Sequence, residues 1–291
     1  MDTEELIKRV KKVELRSRRL SQQLFSGEYH SAFKGKGVLF DRVREYEPGD
    51  EVRFMDWKVT ARLNHPYVKV FQEERELTMM ILVDVSASSD FGTHSMLKRD
   101  MITELSAVLA FSASSNQDNT GLILYSDQVE KFIPPQKGRS HTLKLIREMV
   151  NLQPKNKGTR LKTALQYLNS LIKKKCVVFI ISDFLDEDLE KELRIYSKKY
   201  DIIGLQVYDI REQEMPDLGL IHFKDTESGK VRLIDSSQKK VRDQYAQTWK
   251  GNQRKLKQAF ASSGADLLSI RTDESYIVPL MNFMKSRNRR S

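Results

Sequence analysis

The chain is poor in the residues that cross-link a small protein or build a soft-metal site. One cysteine in 291 residues, Cys176, excludes an internal disulfide and any thiolate cluster. Five histidines, His30, His65, His94, His141 and His222, are scattered without the spacing of paired metal ligands. No apolar stretch approaches the ~20 residues that cross a bilayer. The start, Met1-Asp2-Thr3-Glu4-Glu5, is acidic and lacks the apolar core of a signal peptide, so a cytoplasmic chain is expected. There is no Gly-x-x-x-x-Gly-Lys-Ser/Thr phosphate loop and no Gly-x-Ser-x-Gly nucleophile elbow.

What is present is enough apolar material for a sizeable core, 39% of residues, and a net charge of +10 from 50 basic against 40 acidic side chains. Part of the excess lies at the ends: Lys8, Arg9, Lys11, Lys12, Arg16, Arg18 and Arg19 near the start, then Lys285, Arg287, Arg289 and Arg290. Basic ends can meet nucleic acid, an anionic membrane surface or an acidic protein. No aromatic-rich basic groove accompanies them, so a solvated helix face and tail is the preferred reading, with nucleic-acid binding kept as an alternative.

Leu6, Val10, Val13, Leu20 and Leu24 recur at helical spacing, which predicts an amphipathic helix from Thr3 to about Phe25. Gly35-Lys36-Gly37 has no helix after it and reads as a bend. Pro48-Gly49-Asp50 marks a turn between short extended segments. The mixed charges around Tyr46, Phe54 and Trp57 predict a small β-rich module knitted by ion pairs. From Met79 onward strands and helices alternate. Strands are expected at 79–84, 120–125, 176–182, 202–207 and 266–270, and helices at about 95–115, 140–152, 160–174, 188–199, 238–262 and 276–285. Val129 to Ile133 pairs back on the second of these strands until Pro134 and Pro135 stop it. Leu220–Phe223 and Val231–Ile234 read as an edge hairpin. The alternation predicts an α/β fold, a mostly parallel sheet with helices on both faces.

One stretch stands out. Met79-Met80-Ile81-Leu82-Val83 is an apolar run that ends in Asp84-Val85-Ser86-Ala87-Ser88. In open α/β sheets ligands bind at the carboxyl ends of strands, and three oxygen-bearing side chains there match a hard cation such as Mg²⁺. Asp183 closes a second buried strand, in Ile180-Ile181-Ser182-Asp183, and Thr159 lies in the loop before the helix that leads to it. The competing reading is that both aspartates cap helices and the hydroxyls satisfy backbone groups.

Asp84-x-Ser86-x-Ser88, then Gly158-Thr159, then Asp183 resembles a von Willebrand factor A domain with its metal-ion-dependent adhesion site. The resemblance implies that Ser86 and Ser88 ligate Mg²⁺ or Mn²⁺ directly. It implies that Thr159 does so directly or through water, and that Asp84 and Asp183 act mainly through water and by fixing the hydroxyls. Arg44-Glu45-Tyr46, Pro48-Gly49-Asp50, Arg53, Asp56-Trp57, Ala61-Arg62, Glu73-Glu74-Arg75 and Phe132-x-Pro134-Pro135-x-Lys137-Gly138-Arg139 are similar to a bacterial family known as domain of unknown function 58. That family implies residues 1–77 as an N-terminal helix and β-rich module and 78–291 as a von Willebrand factor A-like domain. Many of its members carry membrane helices ahead of this region, and no such helix is expected here. Members commonly stand beside MoxR-type AAA+ ATPases, which implies an adaptor or chaperone-like partner of such an ATPase, binding a carboxylate of a client through the metal. A metal-dependent hydrolase is the rival of another class. It lacks a second metal site, its one candidate base is His94, and so catalysis is not expected.

Overall fold

In the computed structural model the described residues are 3–25, 38–73, 77–93, 97–156, 158–185, 189–224 and 231–289. The chain divides into two compact units, Met1–Ala32 together with Thr78–Ser291, and Phe33–Leu77.

The larger unit is built outward from the apolar run of the opening motif. β-Branched and long apolar residues that alternate between two covered faces favour a strand buried on both sides, and Thr78–Asp84 (β3 of the chain) is buried from Met79 on. It lies between two parallel neighbours, β4 (Asn119–Tyr125) and β6 (Val177–Ser182). β7 (Asp201–Tyr208) and β10 (Asp266–Arg271) extend the sheet in parallel beyond β6, and β5 (Val129–Gln136) closes the other edge antiparallel to β4. The order is β10-β7-β6-β3-β4-β5. The expected fold class is the one observed, including the antiparallel return after β4.

Helices α5 (Leu161–Leu171), α6 (Leu189–Tyr196) and α8 (Lys239–Ser263) cover one face, where Leu165, Leu168, Leu193 and Phe260 pack with Met80, Leu82, Val178 and Ile180. On the other face α3 (Lys98–Ser115) crosses the central strands, flanked by α4 (Arg139–Asn151) and α9 (Ile277–Asn288). Helix α1 (Thr3–Phe25) lies on α3, α4 and α9. Ser17, Leu20 and Ser21 are buried there. The compact units differ from the 77/78 division expected from the sequence in one element: the first helix belongs to the unit of the sheet, where it packs on α3, α4 and α9.

Two further expectations are corrected. Pro134 and Pro135 do not end β5, which runs on to Gln136. An edge strand has one side without ladder partners, so a residue lacking an N–H is tolerated there. β8 (Leu220–Lys224) and β9 (Val231–Asp235) do pair antiparallel, but as a separate ribbon, since β10 takes the edge beside β7. A short helix, α7 (Ile210–Gln213), follows β7 and was not foreseen.

The smaller unit is an antiparallel pair, β1 (Val38–Glu45) and β2 (Tyr67–Glu73), bulged between Phe40 and Arg42. It also holds a helix, α2 (Trp57–Leu63), that the β-rich reading omitted. Asp56 caps that helix by accepting the N–H groups of Lys58 and Val59. The expected turn is present: Gly49 adopts φ 113°, and Asp50 then accepts two bonds from Arg44, at 2.8 and 2.7 Å, and one from the Glu47 N–H at 2.9 Å. Trp57 is 65% exposed and takes no part in the core of this unit. Gly35, Gly37, Glu74 and Arg75 fall outside the described residues.

Sheet and helix approach closely at Gly204, in the middle of β7. A Cβ built there would overlap the Phe260 ring of α8 and come within 3.1 Å of Leu267 Cδ1. The ring is fully buried and cannot swing away. Gly204→Ala is therefore expected to lower the unfolding free energy by roughly 1–3 kcal/mol, the usual range for core overpacking. Urea titration followed by circular dichroism measures it.

Candidate metal centre

β3 and β6 are hydrogen-bonded neighbours whose following connections run to opposite sides of the sheet, β4 on one flank and β7 on the other. This is the switch point of a doubly wound sheet, where the loops leaving two adjacent strands diverge and open a crevice. Asp84 is the last residue of β3, and Asp183 follows the last residue of β6. Both carboxylates are buried, at 3% and 6% exposure.

The loop after β3 is shaped by its own hydroxyls. Asp84 Oδ1 accepts the Ser86 N–H at 2.9 Å, which folds the chain back over the strand end. The Ser86 and Ser88 hydroxyls then share a 3.0 Å hydrogen bond, and Ser89 Oγ donates to the Ser86 carbonyl at 2.5 Å. Across the strand pair, Ser182 Oγ donates to Asp84 Oδ2 at 2.7 Å and accepts the Phe184 N–H at 3.0 Å. Phe184 sits at φ 56°, a left-handed conformation that costs an aromatic residue about 1–2 kcal/mol. Its ring is buried edge-on against Phe260, centroids 5.2 Å apart, and this packing holds the turn that presents Asp183. Behind it Gln206 Nε2 donates to the Asp183 carbonyl at 3.3 Å and Ser269 Oγ donates to Gln206 Oε1 at 2.8 Å.

Asp183 meets a cation from the chain itself. Lys98, the first residue of α3, donates to Asp183 Oδ2 at 3.0 Å and to Glu212 Oε1 at 2.7 Å. Burial opposes its charge, yet the Asp183 and Glu212 carboxylates outweigh burial and hold the ammonium above its ordinary pKa. Glu212 Oε2 accepts the Asp209 N–H, closing a capping box at the start of α7. The Asp209 carboxylate in turn accepts from Thr93 N–H and Oγ1, Arg211 N–H and Thr272 Oγ1. Those bonds tie the loop after β3 to the end of β7.

The structure thus places Asp84, with Ser86 and Ser88 after it, at the end of β3 and Asp183 at the end of the adjacent β6. Thr159 is half-buried at the same end of the sheet. Its loop is held to the end of β4 by the Arg160 N–H, which donates to the Ser126 carbonyl at 3.0 Å. His94 lies outside the described residues. Cys176 is buried ahead of β6, and burial pushes its thiol up to about 12, which suits the structural role expected of it. Sequence reasoning missed Lys98, Glu212 and Ser182. Glu212 was legible in Asp209-x-x-Glu212 after a strand, a capping-box spacing. Lys98 carried a fainter signal, a cation placed at a helix N-terminus against the dipole.

The donor set is all oxygen, which suits Mg²⁺ or Mn²⁺ rather than a softer ion. Asp183 Oδ1 is buried and has no hydrogen-bond partner among the described residues. Burial first, and the Asp183 charge second, push the Asp84 carboxyl up to about 7, against the bonds from Ser86 and Ser182 that pull it down. An orphaned carboxylate oxygen beside a second carboxylate short of counter-charge is a fit for a hard cation.

The profile of the family described as "Protein of unknown function DUF58" matches residues 42–255. The uncharacterized protein Rv1480 of Mycobacterium tuberculosis (strain ATCC 25618 / H37Rv) is 31% identical over 292 residues, covering 99% of this chain and 92% of its own length. The uncharacterized protein YeaD of Bacillus subtilis (strain 168) is 27% identical over 107 residues, 37% of this chain and 25% of its own. Among solved structures, an aerotolerance-related membrane protein from Bacteroides fragilis NCTC 9343 aligns with 74% of this chain and all of its own, at 12% identity and TM-score 0.49. The VWA domain of SpRpn10 aligns with 72% of this chain and 95% of its own, at 13% identity and TM-score 0.39.

Without metal, the raised Asp84 pKa sets the sign of a pH effect. The folded protein holds the proton up to about 7 and the unfolded chain only to about 3.8, so stability falls as pH rises through that window. In chelator, wild type is expected to lose on the order of 2–3 kcal/mol between pH 5 and pH 8. Asp84→Asn, which cannot ionise, should lose clearly less. Urea midpoints at each pH read this directly, and equal slopes for the two proteins would contradict the assignment.

Proposed function

The chain belongs to the family described as protein of unknown function DUF58, and on that footing we propose that it is a protein-interaction module of the von Willebrand factor A kind. Its crevice at the ends of β3 and β6 captures a partner's carboxylate in a metal-dependent way. The observation that carries the reading is the pairing of Asp84 and Asp183 on adjacent strand ends, with the Ser86 and Ser88 hydroxyls 3.0 Å apart in the loop after Asp84 and Asp183 Oδ1 lacking a partner among the described residues.

Ser86 and Ser88 would hold a Mg²⁺ or Mn²⁺ ion through neutral hydroxyl oxygens, with Thr159 completing the set and Asp84 and Asp183 supplying charge from behind. The bound ion supplies an electrophilic position for an oxygen of an incoming Asp or Glu. The chain's part is positional. Asp84 fixes the Ser86 backbone, Ser182 fixes Asp84, and the buried Phe184 ring holds the Asp183 turn. No bond is made or broken in this scheme, so the reading is of binding rather than catalysis. A MoxR-type AAA+ ATPase, or an acidic client shared with one, is the proposed partner.

Affinity capture by the immobilised chain tests this. In Mg²⁺ a partner should be retained; chelator, Ser86→Ala and Asp84→Ala should each reduce retention about tenfold or more, and Mn²⁺ should restore it to wild type. Retention that is untouched by excess chelator would sink the metal reading. Phosphoester turnover abolished by Asp84→Ala would establish a hydrolase in its place, and binding that tracks salt instead of metal would point to nucleic acid.

A further inference from the structure

Lys98 is an additional charge at this crevice that the metal reading does not call for. Its side chain is 1% exposed and its ammonium lies between Asp183 and Glu212, 6.0 Å from the centroid of the Phe91 ring. A lysine at the first position of a helix faces the unfavourable end of the dipole, and a buried ammonium needs partners on every side. Here the partners are two carboxylates, one of them Asp183. Glu212 is fastened from behind by the Asp209 N–H, so the ammonium is bracketed rather than free to swing out.

We propose, resting on the metal reading above, that Lys98 is a built-in counter-cation that divides affinity between the metal and the partner. It neutralises Asp183 in advance. The ion alone is then held weakly, and it is held well together with a carboxylate from outside. The charges lead to this division. Asp84, Asp183 and Glu212 carry three negative charges when ionised and Lys98 one positive, leaving two, which a divalent ion balances to zero. An incoming carboxylate therefore approaches a neutral site. Without Lys98 the loaded site would keep one negative charge, binding the ion more tightly and repelling the carboxylate. The count is confined to Lys98, the two carboxylates it bonds and Asp84 beside Asp183; Asp209 keeps its own charge but spends its hydrogen bonds on Thr93, Arg211 and Thr272.

Titration of the metal-free chain with Mn²⁺ alone, read by calorimetry and by loss of the free Mn²⁺ resonance signal, tests the proposal, with circular dichroism confirming the fold of each variant. Lys98→Met should bind Mn²⁺ about tenfold more tightly or better, the least expected on removing a unit charge bonded to a ligating carboxylate. Lys98→Arg and the charge-balanced pair Lys98→Met with Glu212→Gln should stay near wild type. Glu212→Gln alone adds net positive charge and should weaken Mn²⁺ about tenfold. Excess acetate should tighten Mn²⁺ on wild type and have less effect on Lys98→Met. A folded Lys98→Met variant with wild-type or weaker affinity overturns the proposal while leaving the metal reading intact. If Lys98→Met does not fold, Glu212→Gln decides, and wild-type affinity there is equally fatal. No Mn²⁺ bound by wild type or any variant overturns both.

Discussion

Two carboxylates buried side by side at the ends of adjacent strands are the constraint around which the larger unit is organised. Asp84 and Asp183 sit where water is scarce, and like charges there cannot both ionise freely unless something offsets them. The chain answers in several ways at once. Ser86 and Ser182 donate to Asp84, Lys98 donates to Asp183, and Asp84 still keeps a pKa of about 7. Asp183 Oδ1 is left over. A core built for stability alone would not place such groups together, since well-packed apolar residues would do as well or better. Their presence is what directs attention to binding.

The scaffold supplies rigidity to match. β3 is flanked on both sides by parallel strands and covered on both faces, so Asp84 issues from the buried centre of the sheet. Asp183 issues from a turn whose left-handed residue is pinned by the edge-on packing of Phe184 against Phe260. Phe260 is also the ring that requires glycine at 204, so the packing of α8 on β7 and the posture of Asp183 share one side chain. The proposed partner capture would draw on this preorganisation, because ligating groups already in place need not be ordered when the ion or the carboxylate arrives.

Much of this is legible in the sequence. The alternation of apolar runs with helical periods located the elements from β3 onward closely, because buried parallel strands announce themselves as β-branched runs and amphipathic helices as stripes. The expectation that Asp84 and Asp183 end neighbouring strands is met in the β3–β6 pairing. Local rules failed where context overrode them. Pro134 and Pro135 read locally as stops, but an edge strand accommodates them. Residues 57–63 do not read as a helix from sequence, because about two turns with an exposed tryptophan carry too little periodicity to register. The first helix groups by sequence with its neighbours, although Leu20 is buried and the helix packs on others that begin only at Lys98 and Arg139.

Sequence alone determined the class of fold, the two strands that end in aspartate and the hydroxyls that accompany them, because each of these is written in a few consecutive residues. The tertiary structure alone decided what surrounds those residues. Lys98 is 85 positions from Asp183 and 114 from Glu212, and nothing local to any of the three requires the other two. Only the packing of α3 across the sheet and the return of the chain through β7 bring one ammonium between two carboxylates. The energy of that arrangement depends on burial and on distances of about 3 Å, and both are properties of the folded chain, not of any stretch of sequence.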